Sequence, residues 1–165
     1  MTTCIIKKIY RRNLLALHYA RNDANYYTMN LDTLNDMWEK DSQLDDEKLD
    51  HDSLAIPKLH AKYLRLYNNF TTLRDQAELD VKRTYRHRWE YYTGKSEKPF
   101  HLKLLKTDVP IYLESDEEYM KSVLKLKYYN QMVEALKAIM QAINNRSFYI
   151  KNAIEFAKFL KGYEI

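Results

Sequence analysis

Apolar positions recur along much of this chain at intervals of three and four, the spacing of helices that bury one face. Leu31, Leu34 and Trp38 keep it within "LDTLNDMWEK" and predict a short helix over about 31–41. An acidic run through Ser53 follows, read as an exposed connector whose charge serves solvation or the docking of a basic partner. Ser53 and Pro57 then supply start signals for a long helix, with proline in the first turn, where no backbone donor is lost. Leu59, Tyr63, Leu66, Phe70, Leu73 and Ala77 follow at spacings of 4, 3, 4, 3 and 4, a heptad-like seam. Val81, Tyr85 and Trp89 extend it in steps of four, which turn the stripe slowly around the helix. Gly94 ends it. A helix from Pro57 to Thr93 would be about 55 Å long at 1.5 Å per residue, too long to bury itself without a partner.

Residues 95–114 hold Pro99 and Pro110 and no sustained period, so they read as a linker. Ser115 and Glu118 form a capping-box pattern, with Asp116 and Glu117 at the positive end of the next helix. Val123, Leu126, Tyr129, Val133, Leu136, Met140 and Ile143 carry that helix. Asn144 and Asn145 interrupt the pattern, and a final helix is expected from about Ser147 to Lys161, with Ile150, Ile154, Ala157 and Leu160 on one face. Leu124, Tyr128, Met132 and Ile139 widen the apolar stripe of the 116–143 helix beyond a single seam, which predicts self-association. The expected fold class is therefore all-α, a long helix plus a C-terminal helical hairpin.

Composition agrees. The 165 residues are 45% hydrophobic and 30% charged, with only 2 Gly and 3 Pro, too few turn residues for a β-sandwich. The single cysteine, Cys4, forms no internal disulfide, and the five histidines lack the paired spacing of metal ligands. No run approaches the roughly 18 apolar residues of a membrane span, and "NLLALHYA" is too short for an export signal. The net charge of +4 is arranged in blocks: +4 over residues 1–28, −7 over 29–53 and +7 over 54–165.

The chemistry concentrates in "VKRTYRHRWEYYTGK", Val81 to Lys95. Lys82, Arg83, Arg86 and His87 cluster on a helix, Arg88 points about 200° away from Arg86, and six Lys/Arg against two Glu give +4 between Val81 and Lys98. Tyr85 and Trp89 continue the apolar seam and read as packed, whereas Tyr91 and Tyr92 at the helix end are the candidates for stacking on bases. Such a surface fits single-stranded DNA through phosphate contacts and sequence-tolerant stacking. A solvated helix face would carry the same charges.

"RHRWEYYTGK", Arg86 to Lys95, resembles the basic-x-basic-x-acidic-Tyr-Tyr-Ser/Thr-Gly-basic motif of the T4-type phage recombination mediator family, UvsY. The resemblance continues through the 109–162 region, including Arg146, Ser147, Phe148, Ile150 and Lys151, and "MNLDTLNDMWEK" onward is similar to the family's N-terminal half. It implies a single helical mediator domain over 29–165, with N-terminal helices and the DNA-binding motif in 29–94, a linker in 95–114 and oligomerisation helices in 115–165. It implies an accessory protein, without catalysis or cofactor, that binds single-stranded DNA in the infected host's cytoplasm. There it would help a UvsX-type recombinase assemble against competition from the phage single-stranded DNA-binding protein. The expected DNA-binding residues are Lys82, Arg83, Arg86, Arg88, Tyr91, Tyr92 and Lys95. A ring-like homo-oligomer, a hexamer or heptamer, is expected to form through Val133, Leu136, Met140, Ile143, Phe148, Ile150, Ile154 and Leu160. One of the two motif arginine positions is commonly lysine in the family, which keeps the charge and changes the contact geometry. Residues 1–28 have no counterpart in the resemblance. They are expected to be either a basic extension, with Lys7, Lys8, Arg11 and Arg12 available to phosphate, or the product of an upstream start codon. A helical coiled-coil scaffold or virion protein is the competing reading, and it predicts no salt-sensitive DNA affinity.

Overall fold

The computed structural model describes residues 29–162, so the expectations for 1–28 lie outside the described residues. The chain divides into two compact units between Gln43 and Leu44. In the first, α1 spans Leu31–Ser42. Its start is a reciprocal cap: Asn30 Oδ1 accepts the Thr33 amide at 2.7 Å, and Thr33 Oγ1 accepts the Asn30 amide at 2.9 Å. Leu34 is its buried residue.

The second unit is built on two helices of 44 residues each, α2 (Leu49–Tyr92) and α4 (Glu117–Leu160), with the short α3 (Val109–Glu114) between them. The all-helical expectation holds, and at 1.5 Å per residue each long helix runs about 66 Å. α2 begins well before Pro57, inside the segment expected to be a connector. The acidic residues there build the start. Asp45 accepts the Glu47 amide at 3.0 Å and pairs with Lys48 at 3.2 Å, while Asp52 accepts the Asp45 amide at 2.9 Å. Asp50 and Asp52 also lie in the first turn, where the helix dipole favours them. Pro57 therefore sits within the helix, and the Ser53 carbonyl it leaves without an intrahelical donor belongs to an exposed residue.

The two long helices run antiparallel, as the cross-contacts require. Asp116 meets Arg88, Tyr119 stands edge-on to Tyr85 at 5.7 Å, Lys125 lies 3.9 Å from Asp80, and Tyr129 is 6.3 Å from Phe70. From α2 the core takes Tyr63, Leu66, Phe70 and Ala77, all four in the expected seam. From α4 it takes Met132, Leu136, Ile139, Ile143, Arg146 and Ile150, again spaced by four and three, with Val133 beside them. Each large apolar side chain buried in this way stabilises the fold by roughly 1.5–3 kcal/mol.

That α4 seam corrects two expectations. It is rotated toward Met132 and Ile139, so that Val123 faces solvent and Met140 is only half-buried. It also passes without interruption through Asn144 and Asn145, because Arg146 holds a seam position and the two asparagines face outward. Exposed asparagine lowers helix propensity by only about 0.7 kcal/mol relative to alanine, too little to break a helix packed on both sides of it. Among the described residues no C-terminal hairpin forms after α3, because α4 is one continuous helix: the hairpin is α2 against α4.

At the hairpin's closed end, Pro110 occupies the first turn of α3, and Val109 and Leu113 are buried. The expected cap of α4 shifts by one residue. Ser115 Oγ donates to the Ile111 carbonyl at 2.9 Å and belongs to the end of α3, while Asp116 caps α4. Among the described residues, no helix is long and apolar enough to cross a membrane.

Candidate nucleic-acid interface

The last turns of α2 carry the basic motif, and the structure divides its cations into two kinds. Arg86 is 81% exposed at its side chain, and its Nε lies 3.7 Å from Glu90. Lys82 and Arg83 are similarly exposed and reach back to Glu78 at 2.8 Å and Asp80 at 3.5 Å. Surface pairs of this type contribute about 0–1 kcal/mol, so these three cations can exchange a carboxylate for a phosphate at little cost.

Arg88 is different. Its side chain is 17% exposed and its Nε donates to Asp116 Oδ2 at 2.8 Å. Tyr92 donates its hydroxyl to the same oxygen at 2.9 Å, and the guanidinium lies 4.3 Å from the centre of the Tyr91 ring. Burial opposes its charge, but Asp116 and Tyr92 hold the Arg88 pKa above the ordinary guanidinium value. Burial likewise pushes Asp116 upward, and the Tyr119 amide, Arg88 and Tyr92 more than reverse this, leaving its pKa below the usual carboxylate value. The two motif arginines thus stand in separate environments, one on the surface and one joining two helices.

Tyr91 and Tyr92 are part of the same internal assembly. Their rings are 5.0 Å apart, both pack on Phe100, at 5.7 and 5.2 Å, and Tyr92 also packs on Tyr112 at 5.9 Å. Both are half-buried, so neither presents a free face comparable to an open stacking platform.

Gly94, at φ +79°, turns the chain sharply at the end of α2. Lys95 and Ser96 then both donate their amides to the Glu90 carbonyl, at 2.8 and 3.2 Å, and Phe100 donates to the Tyr91 carbonyl at 3.1 Å. The linker is thereby folded back onto the helix end. Its reversal brings Lys95 Nζ to 4.2 Å from the centre of the Trp89 ring. A pocket of about 550 Å³ opens here, lined by Trp89, Lys95, Phe100, Leu102 and Leu104 together with Lys103 and Lys106. The sequence placed Trp89 in the core and gave the linker no role. The pattern that marks this pocket is "FHLKLLK", Phe100 to Lys106, where leucines and lysines are mixed directly after an aromatic residue.

Of the positions expected to carry self-association, Val133, Leu136, Ile143 and Ile150 are buried within the single chain, and Met140 is half-buried. Phe148, Ile154 and Leu160 are exposed, and Tyr149, Phe156 and Phe159 are exposed on the same final turns of α4.

Comparison with known proteins supplies the context. The UvsY family model, described as a recombination, repair and single-stranded-DNA-binding protein, matches residues 37–163. The recombination protein uvsY of Enterobacteria phage T4 is 24% identical over 136 residues, covering 81% of this chain and 99% of that protein. Crystal structures of the bacteriophage T4 recombination mediator protein UvsY share the fold. Lattice type II matches with a TM-score of 0.75 at 23% identity, over 81% of this chain and 99% of that one. Lattice type IV matches with a TM-score of 0.74 at 22% identity, over 79% and 99%.

Proposed function

Because the chain belongs to the UvsY family of recombination, repair and single-stranded-DNA-binding proteins, we propose that it binds single-stranded DNA and acts as a recombination mediator. The observation that carries this reading is the group of exposed, weakly paired cations Lys82, Arg83 and Arg86 on the last turns of α2, with Lys95 against Trp89 in the turn that follows. Each contacts phosphate. Arg88, with Tyr91 and Tyr92, positions that end of α2 instead of touching the strand.

A single protomer offers few contacts, and several protomers associated through the apolar end of α4 would present them along one strand at high effective concentration. In this reading a ring of copies holds the strand extended, helps a UvsX-type recombinase nucleate and loosens the competing single-stranded DNA-binding protein. The chain itself performs no chemistry, and its work is done in the cytoplasm of the infected host.

The test is the affinity for a labelled oligo(dT) measured by fluorescence anisotropy across a salt series. Wild type should give a steep log-log slope, and Arg86→Ala should make it shallower by about 0.7 for every phosphate that it no longer neutralises, with assembly unchanged. Weak, salt-independent binding that is equal in the two proteins would favour the helical scaffold reading.

A further inference from the structure

We propose that the pocket between the end of α2 and the folded-back linker receives one unstacked base of the bound strand, with Trp89 as its stacking platform. This rests on the reading that the chain binds single-stranded DNA, and it assigns a base-binding role where the helix face offers only phosphate contacts.

Three features point to a nucleotide. At about 550 Å³ the pocket lies within the roughly 300–1,000 Å³ range of sites that enclose small organic groups, and its walls are aromatic and aliphatic. Its lining includes Lys95, Lys103 and Lys106 and no carboxylate. A largely apolar slot whose lining includes three cations matches a flat, uncharged base attached to a phosphate backbone. It does not match an acidic peptide, whose charges would enter the apolar slot, or a purely aliphatic group, which has no use for the lysines.

Lys95 supplies the exchange. Its ammonium rests 4.2 Å from the centre of the Trp89 ring, and as an exposed lysine it holds that position through a weak cation–π interaction. A phosphate arriving at the pocket draws the ammonium away and uncovers the indole face, where a base then stacks. Stacking on an aromatic ring is the stronger interaction, so the exchange proceeds toward the bound state. The backbone of Lys95 stays fixed by its bond to the Glu90 carbonyl at 2.8 Å, and only the side chain moves.

Trp38 and Trp89 are the chain's two tryptophans, so Trp38→Phe leaves Trp89 as the sole indole reporter. Oligo(dT) should quench its emission strongly, whereas an abasic strand of equal length and charge, which can only displace the Lys95 ammonium, should change it much less. Trp89→Ala should bind oligo(dT) about five-fold or more weakly, the change that corresponds to one base left unstacked, while its affinity for the abasic strand stays that of wild type. Trp89→Phe should retain most of the preference for the strand with bases. If the Trp38→Phe protein binds oligo(dT) with salt-dependent affinity but its emission does not change, or changes equally with the abasic strand, the pocket assignment is overturned and DNA binding stands. If neither strand binds at all, both readings fall together. Should Trp89→Ala not fold, the emission measurement on the Trp38→Phe protein decides alone.

Discussion

One oxygen of the Asp116 carboxylate accepts the Arg88 Nε–H at 2.8 Å, while the other accepts the Glu118 and Tyr119 amides at 3.1 and 3.0 Å. A single side chain therefore caps α4 and ties it to the last turns of α2. Removing one partner of this part-buried pair leaves the other without its charged hydrogen bonds, at a cost of roughly 1.5–3 kcal/mol. Arg88→Ala and Asp116→Ala should both lower the unfolding free energy by an amount in that range, whereas Arg86→Ala should stay within about 0.5 kcal/mol of wild type. Urea denaturation followed by helical circular dichroism measures all three. Equal stabilities for Arg86→Ala and Arg88→Ala would contradict this division of labour. It follows that weakened DNA binding in an Arg88 variant reports on phosphate contact only after its fold has been checked.

The same carboxylate makes stability depend on pH with a definite sign. The folded-state pKa of Asp116 is held below its ordinary value, so the native state binds fewer protons than the unfolded chain in the acid range. Its contribution is fully present above the unfolded value of about 4 and is lost as pH falls from there through the lower folded value. Wild-type urea midpoints should therefore decline between about pH 5 and pH 2 more steeply than those of Asp116→Asn, which carries no proton-linked charge at this position. Parallel declines would show that Asp116 does not govern the acid limb.

How much of this was legible in the sequence depends on how far the deciding partner lies along the chain. The α2 seam at Tyr63, Leu66, Phe70 and Ala77 was readable because each residue's environment is set by neighbours three and four positions away. The early start of α2 could not be read because Asp45 and Asp52 hold the turn before it through side-chain bonds to backbone amides, which composition renders only as charge. Arg86 could be recognised as a surface cation from the motif alone. Arg88, two residues on, could not be distinguished from it, since its partner Asp116 is 28 positions away. The pocket required knowing that Gly94 reverses the chain and returns Lys95 to Trp89.

Asn144 and Asn145 offer a test of helix continuity. Both face outward on α4, so replacing both with alanine should raise stability by up to about 1.4 kcal/mol in total, with no change in hairpin packing. Asn145→Pro should instead cost about 3 kcal/mol or more by removing a helical hydrogen bond and crowding the preceding turn. Hydrogen exchange resolved along α4 should then show weakened protection from the site to Leu160. Unchanged protection beyond residue 145 would mean that the final turns are held independently of the helix that leads into them.

Those final turns carry the last prediction. Phe148, Phe156, Phe159 and Leu160 are exposed on a helix end whose buried residues stop at Ile150, and clustered exposed aromatic surface of this kind marks an association site. Phe156→Lys with Phe159→Lys replaces two exposed rings by charges and removes nothing from the hairpin core, so helical content should stay at the wild-type level. Light scattering coupled to size exclusion should show the wild type as an oligomer and the double variant as a smaller species. If multiple copies supply the proposed DNA affinity, the variant should also bind oligo(dT) at least tenfold more weakly, because effective concentration adds avidity of about 10²–10⁴ without new contacts. A variant that loses assembly yet keeps full affinity would place strand binding in the single hairpin, and a variant that stays assembled would move the association surface elsewhere.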